Sequence, residues 1–280
     1  MVWKTKRYKA RAGIMWLLAL ASLVFLWFAS LIAYFPRKPA FLISGENANK
    51  SNALLVVAHP DDESMFFSPT ISFLTSRGHN LHILCLSVGD ADGKGNIRKE
   101  ELYQACVTFK VPRQQVKVMD HPDLQDGFGN KWNHNLLSKI IEEEVLARGI
   151  NVVITFDDYG VSGHCNHRDV HFGVRTFLQE TAQRDIEAWE LVSTNILRKY
   201  SGPVDFWISM LFALLSPTGS AHCLMNENPR RSFIAMSQHS SQWVWFRKLF
   251  VSFSSYTYVN TLRSIDRLEQ VQRKGNDQEL

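Results

Sequence analysis

The sequence has no CxxC pair: Cys85, Cys106, Cys165 and Cys223 are scattered singly, which excludes a disulfide framework. Unpaired thiols of this kind favour a catalytic domain in a reducing compartment. The chain also lacks any internal repeat or low-complexity stretch. Nor does it carry a general excess of basic charge. Lys+Arg number 31 against 27 Asp+Glu, and Lys4, Lys6, Arg7, Lys9 and Arg11 account for the difference. Beyond these the chain is close to neutral, which excludes a globally basic nucleic-acid binder. What is present, in 280 residues that are 45% hydrophobic and 21% charged, suits one large globular domain with some membrane character.

Residues 14–34, IMWLLALASLVFLWFASLIAY, carry no charge at all. A helix needs about 20 apolar residues to cross the bilayer core, so this run is expected to be a transmembrane anchor. It is too long for the apolar core of a cleaved signal peptide, about 7–15 residues, and FPRKP follows it instead of a small-residue cleavage site. The expected organisation is a basic tail (1–13), an anchor (14–34), a connector (35–52), a catalytic domain (53–262) and a polar tail (263–280).

Within the domain, apolar runs alternate with helical spacing. Strands are predicted at Ala53–Ala58, Leu81–Val88, Gln115–Met119, Asn151–Phe156 and near Trp189–Ser193. Helices are predicted at Ser64–Ser76, Arg98–Phe109, Asn135–Ala147 and from about Arg168 to Thr181. The alternation implies an α/β fold: a Rossmann-like, mostly parallel sheet with helices on both faces. Ligands in such sheets lie beyond the carboxyl ends of the strands. Two polar clusters follow strands directly, HPDDE after the first and DDYGVSGHCNH after the strand ending at Phe156.

In the first cluster His59, Asp61, Asp62 and Glu63 fall within five residues. Imidazole plus carboxylate is a common ligand mix for zinc. Two adjacent aspartates cannot both point one way, which invites two roles, one on a metal and one on a proton. The second cluster adds His164, Asn166 and His167, with the two imidazoles at i, i+3 on the start of a helix. A catalytic zinc keeps three protein ligands and an open position for water. Taken alone, HPDDE also reads as a turn with a helix cap, and GHCNH as a polar loop.

LLVVAHPDDES together with the downstream GHCNH resembles the LmbE-like zinc deacetylases, over about Ala53 to Arg247. The resemblance implies a zinc ion held by His59, Asp62 and His167, Asp61 as general base, and His164 as general acid and oxyanion partner. It also implies that Arg98, in GNIRKEELYQAC, faces the substrate, and that HSSQ at His239–Gln242 is a family element. Relatives often have Pro where Cys165 stands, and some carry a Tyr where Ser162 stands. Cys165 is not expected to be a ligand, and Tyr159 is not expected to take the tyrosine's place. His79, His82, His134 and His171 are read as surface or core histidines. The turn-rich stretch Asp120–Trp132 is expected to cover the site, with Asp126 as a sugar contact.

Val204–Leu215 and Trp243–Phe253 mix apolar and aromatic residues with Arg247 and Lys248, a composition suited to the membrane interface. With the anchor, they favour a glycolipid substrate. The resemblance implies that the reaction is removal of acetate from N-acetylglucosaminyl-phosphatidylinositol, an early step of glycosylphosphatidylinositol anchor synthesis. The alternatives are another N-acetylated amino sugar and a non-catalytic membrane scaffold. On topology two expectations conflict. The upstream cations predict a cytosolic N-terminus and a lumenal domain, whereas the resemblance implies the cytosolic face of the endoplasmic reticulum. Arg37 and Lys38, close to the membrane, partly offset the upstream excess, and the expectation follows the resemblance to the cytosolic face.

Overall fold

The structure, a computed structural model, describes residues 13–27, 29, 50–127, 129–181, 186–216 and 221–265. One seven-stranded sheet in the order β3-β2-β1-β4-β5-β7-β6 organises the chain from residue 52 onward. Its strands are β1 (Asn52–Val57), β2 (Asn80–Cys85), β3 (Val116–Val118), β4 (Val152–Phe156), β5 (Glu187–Leu191), β6 (Ala221–Met225) and β7 (Val259–Ser264). The pairs among β3, β2, β1, β4 and β5 are all parallel, as the alternating pattern predicts. The sequence pattern did not reveal β6 and β7. β7 pairs antiparallel with both β5 and β6 and widens the sheet on that side.

Residue parity in β1 explains why it lies in the middle. Ala53, Leu55 and Val57 face one apolar core, and Leu54, Val56 and Ala58 face the other. A strand buried on both sides has no polar face, so it reads as an unbroken apolar run. The first core is covered by α2 (Ser68–Ser76), α3 (Gly95–Thr108), α9 (Pro229–Gln238) and α10 (Trp245–Phe253). The second is covered by α4 (His134–Arg148) and α6 (Cys165–Glu180). The predicted single helix over Ser64–Ser76 is two helices, α1 (Asp62–Met65) and α2. Phe66 and Phe67 separate them, and Pro69 opens α2, where its missing N–H costs nothing.

α4 is bounded as its sequence suggests. The Asn133 side chain accepts from the N–H groups of Asn135 and Leu136, and Gly149 ends the helix in the left-handed region. Further α-helical segments among the described residues are α5 (Gly160–Gly163), α7 (Ile196–Lys199) and α8 (Asp205–Leu215). From β1 the chain proceeds outward to β2 and β3, then returns to place β4 on the other side of β1. The sheet's topological switch point therefore lies between β1 and β4, where α/β sheets open a crevice.

At the N-terminus residues 13–27 are helical, and the side chains of 13–26 are exposed. Among the described residues no helix is long and apolar enough to cross a membrane. The rest of the expected anchor (28 and 30–34), the connector up to 49, the basic tail up to 12 and the tail beyond 265 lie outside the described residues.

Candidate active site

The crevice between β1 and β4 collects the two polar clusters. His59, Asp61 and Asp62 follow β1 directly, and His164 and His167 stand at the start of α6, after β4. One ring nitrogen each from His59, His164 and His167 lies within 4.8 Å of the others. The His59 and His164 rings are 4.9 Å apart, as are those of His164 and His167. Asp62 joins this group, with its Oδ1 3.1 Å from His167 Nε2. All five residues singled out in the sequence thus share one site, and His164 stands among the imidazoles themselves.

The hydrogen bonds fix how these groups face one another. His167 Nδ1–H donates to the Gly160 carbonyl at 3.0 Å, so its Nε2 presents a lone pair. Asp62 Oδ2 accepts from the N–H groups of Ala58 (3.0 Å) and His59 (2.8 Å), which leaves Oδ1 to face that lone pair. Two electron-rich atoms 3.1 Å apart require a cation between them, a proton or a metal ion. His59 Nε2 lies 3.1 Å from Asp126 Oδ1 and 3.2 Å from Asn166 Oδ1, the outer carboxylate and amide that orient metal-binding imidazoles. The donor set of imidazoles plus one carboxylate therefore fits a metal ion such as zinc.

Backbone conformation shapes the cradle. Gly160 has φ +67, and a Cβ there would meet His167 Cβ at 2.7 Å, so only glycine lets α6 approach. Asp61 has φ 126, a region that L-residues avoid at a cost of about 1–3 kcal/mol. Its N–H donates to Glu63 Oε2 at 3.1 Å, and its Oδ2 lies 2.7 Å from Arg247 Nη2. Glu63 is wholly buried. Its Oε1 accepts from Ser64 Oγ at 2.6 Å and from His239 Nε2 at 2.7 Å.

Electrostatics separate the two aspartates. Burial raises the Asp61 carboxyl above its ordinary value, only partly offset by the Arg247 guanidinium. Asp62 is held below the carboxylate range: burial would raise it, but the His167 imidazole and further bonds outweigh that. Burial, with His167 and His59 alongside, lowers His164 to about 4. Burial opposes a charge on Asp126, but its bond from His59 brings it down to about 2.

Arg98 reaches the rim of the same site. Nη1 donates to the Gly89 carbonyl (2.6 Å) and to Asp126 Oδ2 (3.2 Å), and Nη2 donates to the Pro60 carbonyl (2.9 Å). Its fork is thus filled by protein acceptors, and only the buried Nε lacks a partner. Asp126 is brought to the site by the 120–132 stretch, as expected, though here it braces His59 and Arg98. HSSQ acquires a structural role: His239 holds Glu63, Ser240 and Ser241 bind Glu101, and Gln242 Nε2 donates to the Pro60 carbonyl. Cys165 Sγ points to the Gly127 carbonyl, 3.7 Å away, and Ser162 and Tyr159 are exposed. His79, His82, His134 and His171 bond elsewhere. Reading the sequence missed Arg247 and the part played by Glu63. Glu63 was within the HPDDE string, whereas nothing near Arg247 pointed to Asp61.

This fold and site define a class of α/β proteins with a candidate metal centre in the β1/β4 crevice. Among solved structures, the chain resembles the zinc-inhibited form of teicoplanin deacetylase Orf2 in fold. The TM-score is 0.54 at 14% identity, over 76% of this chain and 97% of that one. A family model described as GlcNAc-PI de-N-acetylase (PIG-L) matches residues 54–178. A Bos taurus protein named N-acetylglucosaminyl-phosphatidylinositol de-N-acetylase is 38% identical over 213 residues, 76% of this chain and 83% of its own. A Schizosaccharomyces pombe protein named as a probable enzyme of the same kind is 36% identical over 213 residues, 75% of this chain and 85% of its own. The chain belongs to the PIG-L family.

Proposed function

We propose that this protein hydrolyses the N-acetyl group of N-acetylglucosaminyl-phosphatidylinositol, releasing acetate and glucosaminyl-phosphatidylinositol. The observation that carries the reading is the meeting of HPDDE and GHCNH across the β1/β4 crevice, with Asp62 and His167 facing each other through electron-rich atoms. Family membership supports the substrate. His59, Asp62 and His167 would hold a zinc ion, with His164 beside them. Zinc, when bound, polarises a carbonyl oxygen and lowers the pKa of a bound water to about 7.

The remaining work falls to protein groups. Asp61, whose carboxyl is raised by burial, accepts the proton of the attacking water. His164 accepts an N–H from Asn166 at Nδ1, so its Nε2 carries the proton, suited to the developing oxyanion and the leaving nitrogen. Asp126 and Asn166 keep His59 oriented. Arg98 sits at the rim, where its guanidinium charge favours a phosphodiester.

The domain is proposed to work on the cytosolic face of the endoplasmic reticulum, held there by residues 14–34 as a single-pass anchor. The unpaired cysteines, three of them buried, support the reducing side. Protease digestion of a C-terminal tag in sealed microsomes tests this: a protected tag would place the domain in the lumen. The reaction is tested by acetate release from synthetic glycolipid. Turnover that a chelator stops and zinc restores is expected. Acetate release undiminished in metal-free protein would overturn the metal assignment, and no release from the metal-loaded protein would overturn the substrate.

A further inference from the structure

The outer surface formed by α7, α8 and α10 exposes many apolar side chains, and in α8 the usual pattern is inverted. α8 reads DFWISMLFALL, yet the residues it buries are Asp205 and Ser209. These polar groups are satisfied inside, since Arg198 bonds Asp205 Oδ1 at 2.7 Å and Ser209 Oγ donates to Asp205 Oδ2 at 2.8 Å. The apolar side chains Trp207, Leu211 and Leu215 are turned outward. α10 also turns Trp245, Phe246 and Leu249 outward, although it buries Phe250 and Val251, and α7 turns Leu197 outward. Leu197 is 82% exposed, Leu215 78% and Trp245 72%. A helix that buries its polar side and exposes its apolar side is suited to an apolar surrounding.

The three helices form one junction. The Tyr200 ring, just after α7, lies 6.2 Å from Phe250 of α10. A Cβ on Gly202, shortly before α8, would lie 3.4 Å from the Phe253 carbonyl and 2.7 Å from Trp27 Nε1. Trp27 also packs 6.3 Å from the Phe253 ring. The apolar N-terminal helix therefore reaches the domain at this junction.

Charge identifies the occupant. From Asn228 to Ser264 there is no Asp or Glu; Arg247 and Arg263 are taken up by Asp61 and Glu190, which leaves Lys248 on α10 and Arg230 and Arg231 on α9 as the cations of this stretch that meet no carboxylate among the described residues. From Val192 to Asn226 the single acid is the buried Asp205. Lys248 lies 5.5 Å over the Trp243 ring, a cation beside an aromatic as at a headgroup boundary. A second copy would bring like charges together, whereas an anionic leaflet would complement them. We infer that the α7–α8–α10 face docks the catalytic domain onto the surface of a bilayer containing anionic phospholipids. The inference rests on this surface alone and does not depend on the reaction proposed above.

The test uses the full chain reconstituted in phosphatidylcholine vesicles containing phosphatidylinositol. A nitroxide is placed at Leu215→Cys or Trp245→Cys, and at Val107→Cys and Leu146→Cys as exposed controls on α3 and α4. Protein without an added cysteine corrects for labelling of Cys165. All four positions are exposed, so the substitutions leave the core intact. Collisions with a water-soluble nickel chelate should be lost at 215 and 245 while collisions with oxygen rise, with the opposite balance at 107 and 146. Removing phosphatidylinositol should restore part of the nickel access. Equal nickel access at all four positions would overturn the inference. So would protection that rises with protein density in the vesicles and not with anionic lipid, since a second copy would then cover the face.

Discussion

Removing the His239 side chain should expose how much the site depends on a buried pair directly beside the proposed ligand Asp62. His239 and Glu63 are both wholly buried and meet at 2.7 Å. His239→Ala leaves the Glu63 carboxylate buried without its partner. Breaking a buried pair in this way costs about 3–5 kcal/mol, a fall in Tm of roughly 6–20 °C for a domain of this size. Glu63→Gln keeps the shape and loses the charge, and should cost about 1.5–3 kcal/mol. Combining the two removes the stranded charge, so the double variant should be less unstable than the sum, with a coupling of about 1–3 kcal/mol. Urea unfolding followed by tryptophan fluorescence reads all four corners. Strict additivity would refute the pairing. The pH dependence has a defined sign. Burial lowers the His239 pKa, but the Glu63 charge outweighs it and the folded value is raised. Its stabilisation is therefore full below pH ~6.5 and declines as pH rises through the raised folded value. His239→Ala should flatten that slope.

Each of His59→Ala, Asp62→Ala and His167→Ala should abolish turnover and greatly reduce bound zinc, read by elemental analysis of the purified protein; stoichiometric zinc in His167→Ala would remove that residue from the metal. Asp61→Asn and His164→Ala should retain zinc and lose ~10²–10⁴-fold in kcat, and loss of zinc instead would mean that a ligand had been taken for a catalyst. Gly160→Ala places a Cβ 2.7 Å from that of His167, so zinc affinity by competition titration should fall roughly 10–100-fold. Arg98→Lys preserves charge but cannot reproduce three bonds to Gly89, Asp126 and Pro60; KM for the glycolipid should rise with zinc content unchanged, and unaltered kinetics would return Arg98 to a purely structural post.

The central strands were legible in the sequence because burial on both faces leaves an unbroken apolar run, as in ALLVV and VVITF. β7, read VNTLRS, carries buried Asn260 and Thr261, whose polarity hid the strand. Asn260 is satisfied largely by partners distant in sequence, Thr70 and the Phe66 carbonyl. The Ser64–Ser76 helix was overextended because its periodicity continues across the break at Phe66–Phe67. In the site, short contiguous strings were readable since each follows a single strand. The Arg247–Asp61 contact was not, because it joins residues from opposite ends of the domain, and Arg247 lies among aromatics that suggested only a surface.

That contact gives the short helix α10 two duties. Arg247 reaches inward to Asp61 Oδ2 at 2.7 Å, while its neighbours Trp245, Phe246 and Leu249 face outward. At 1.5 Å per residue, Arg247 lies about 9 Å or less along the axis from either end of Trp245–Phe253. The polar layer of one leaflet is about 5–7 Å thick. A domain docked through α10 would therefore hold Asp61 close to headgroup depth, and a glycolipid could present its acetyl group without its chains leaving the bilayer. The same closeness argues that α10 helps set the site's electrostatics. The Arg247 charge opposes the rise that burial imposes on Asp61, so a shift of α10 on docking would alter how readily Asp61 takes up a proton. Kinetics on vesicles and on a short-chain soluble analogue would separate the two duties. Trp245→Glu should impair turnover of the vesicle substrate alone, while Arg247→Met should impair both. Equal losses for Trp245→Glu on both substrates would refute a role confined to docking.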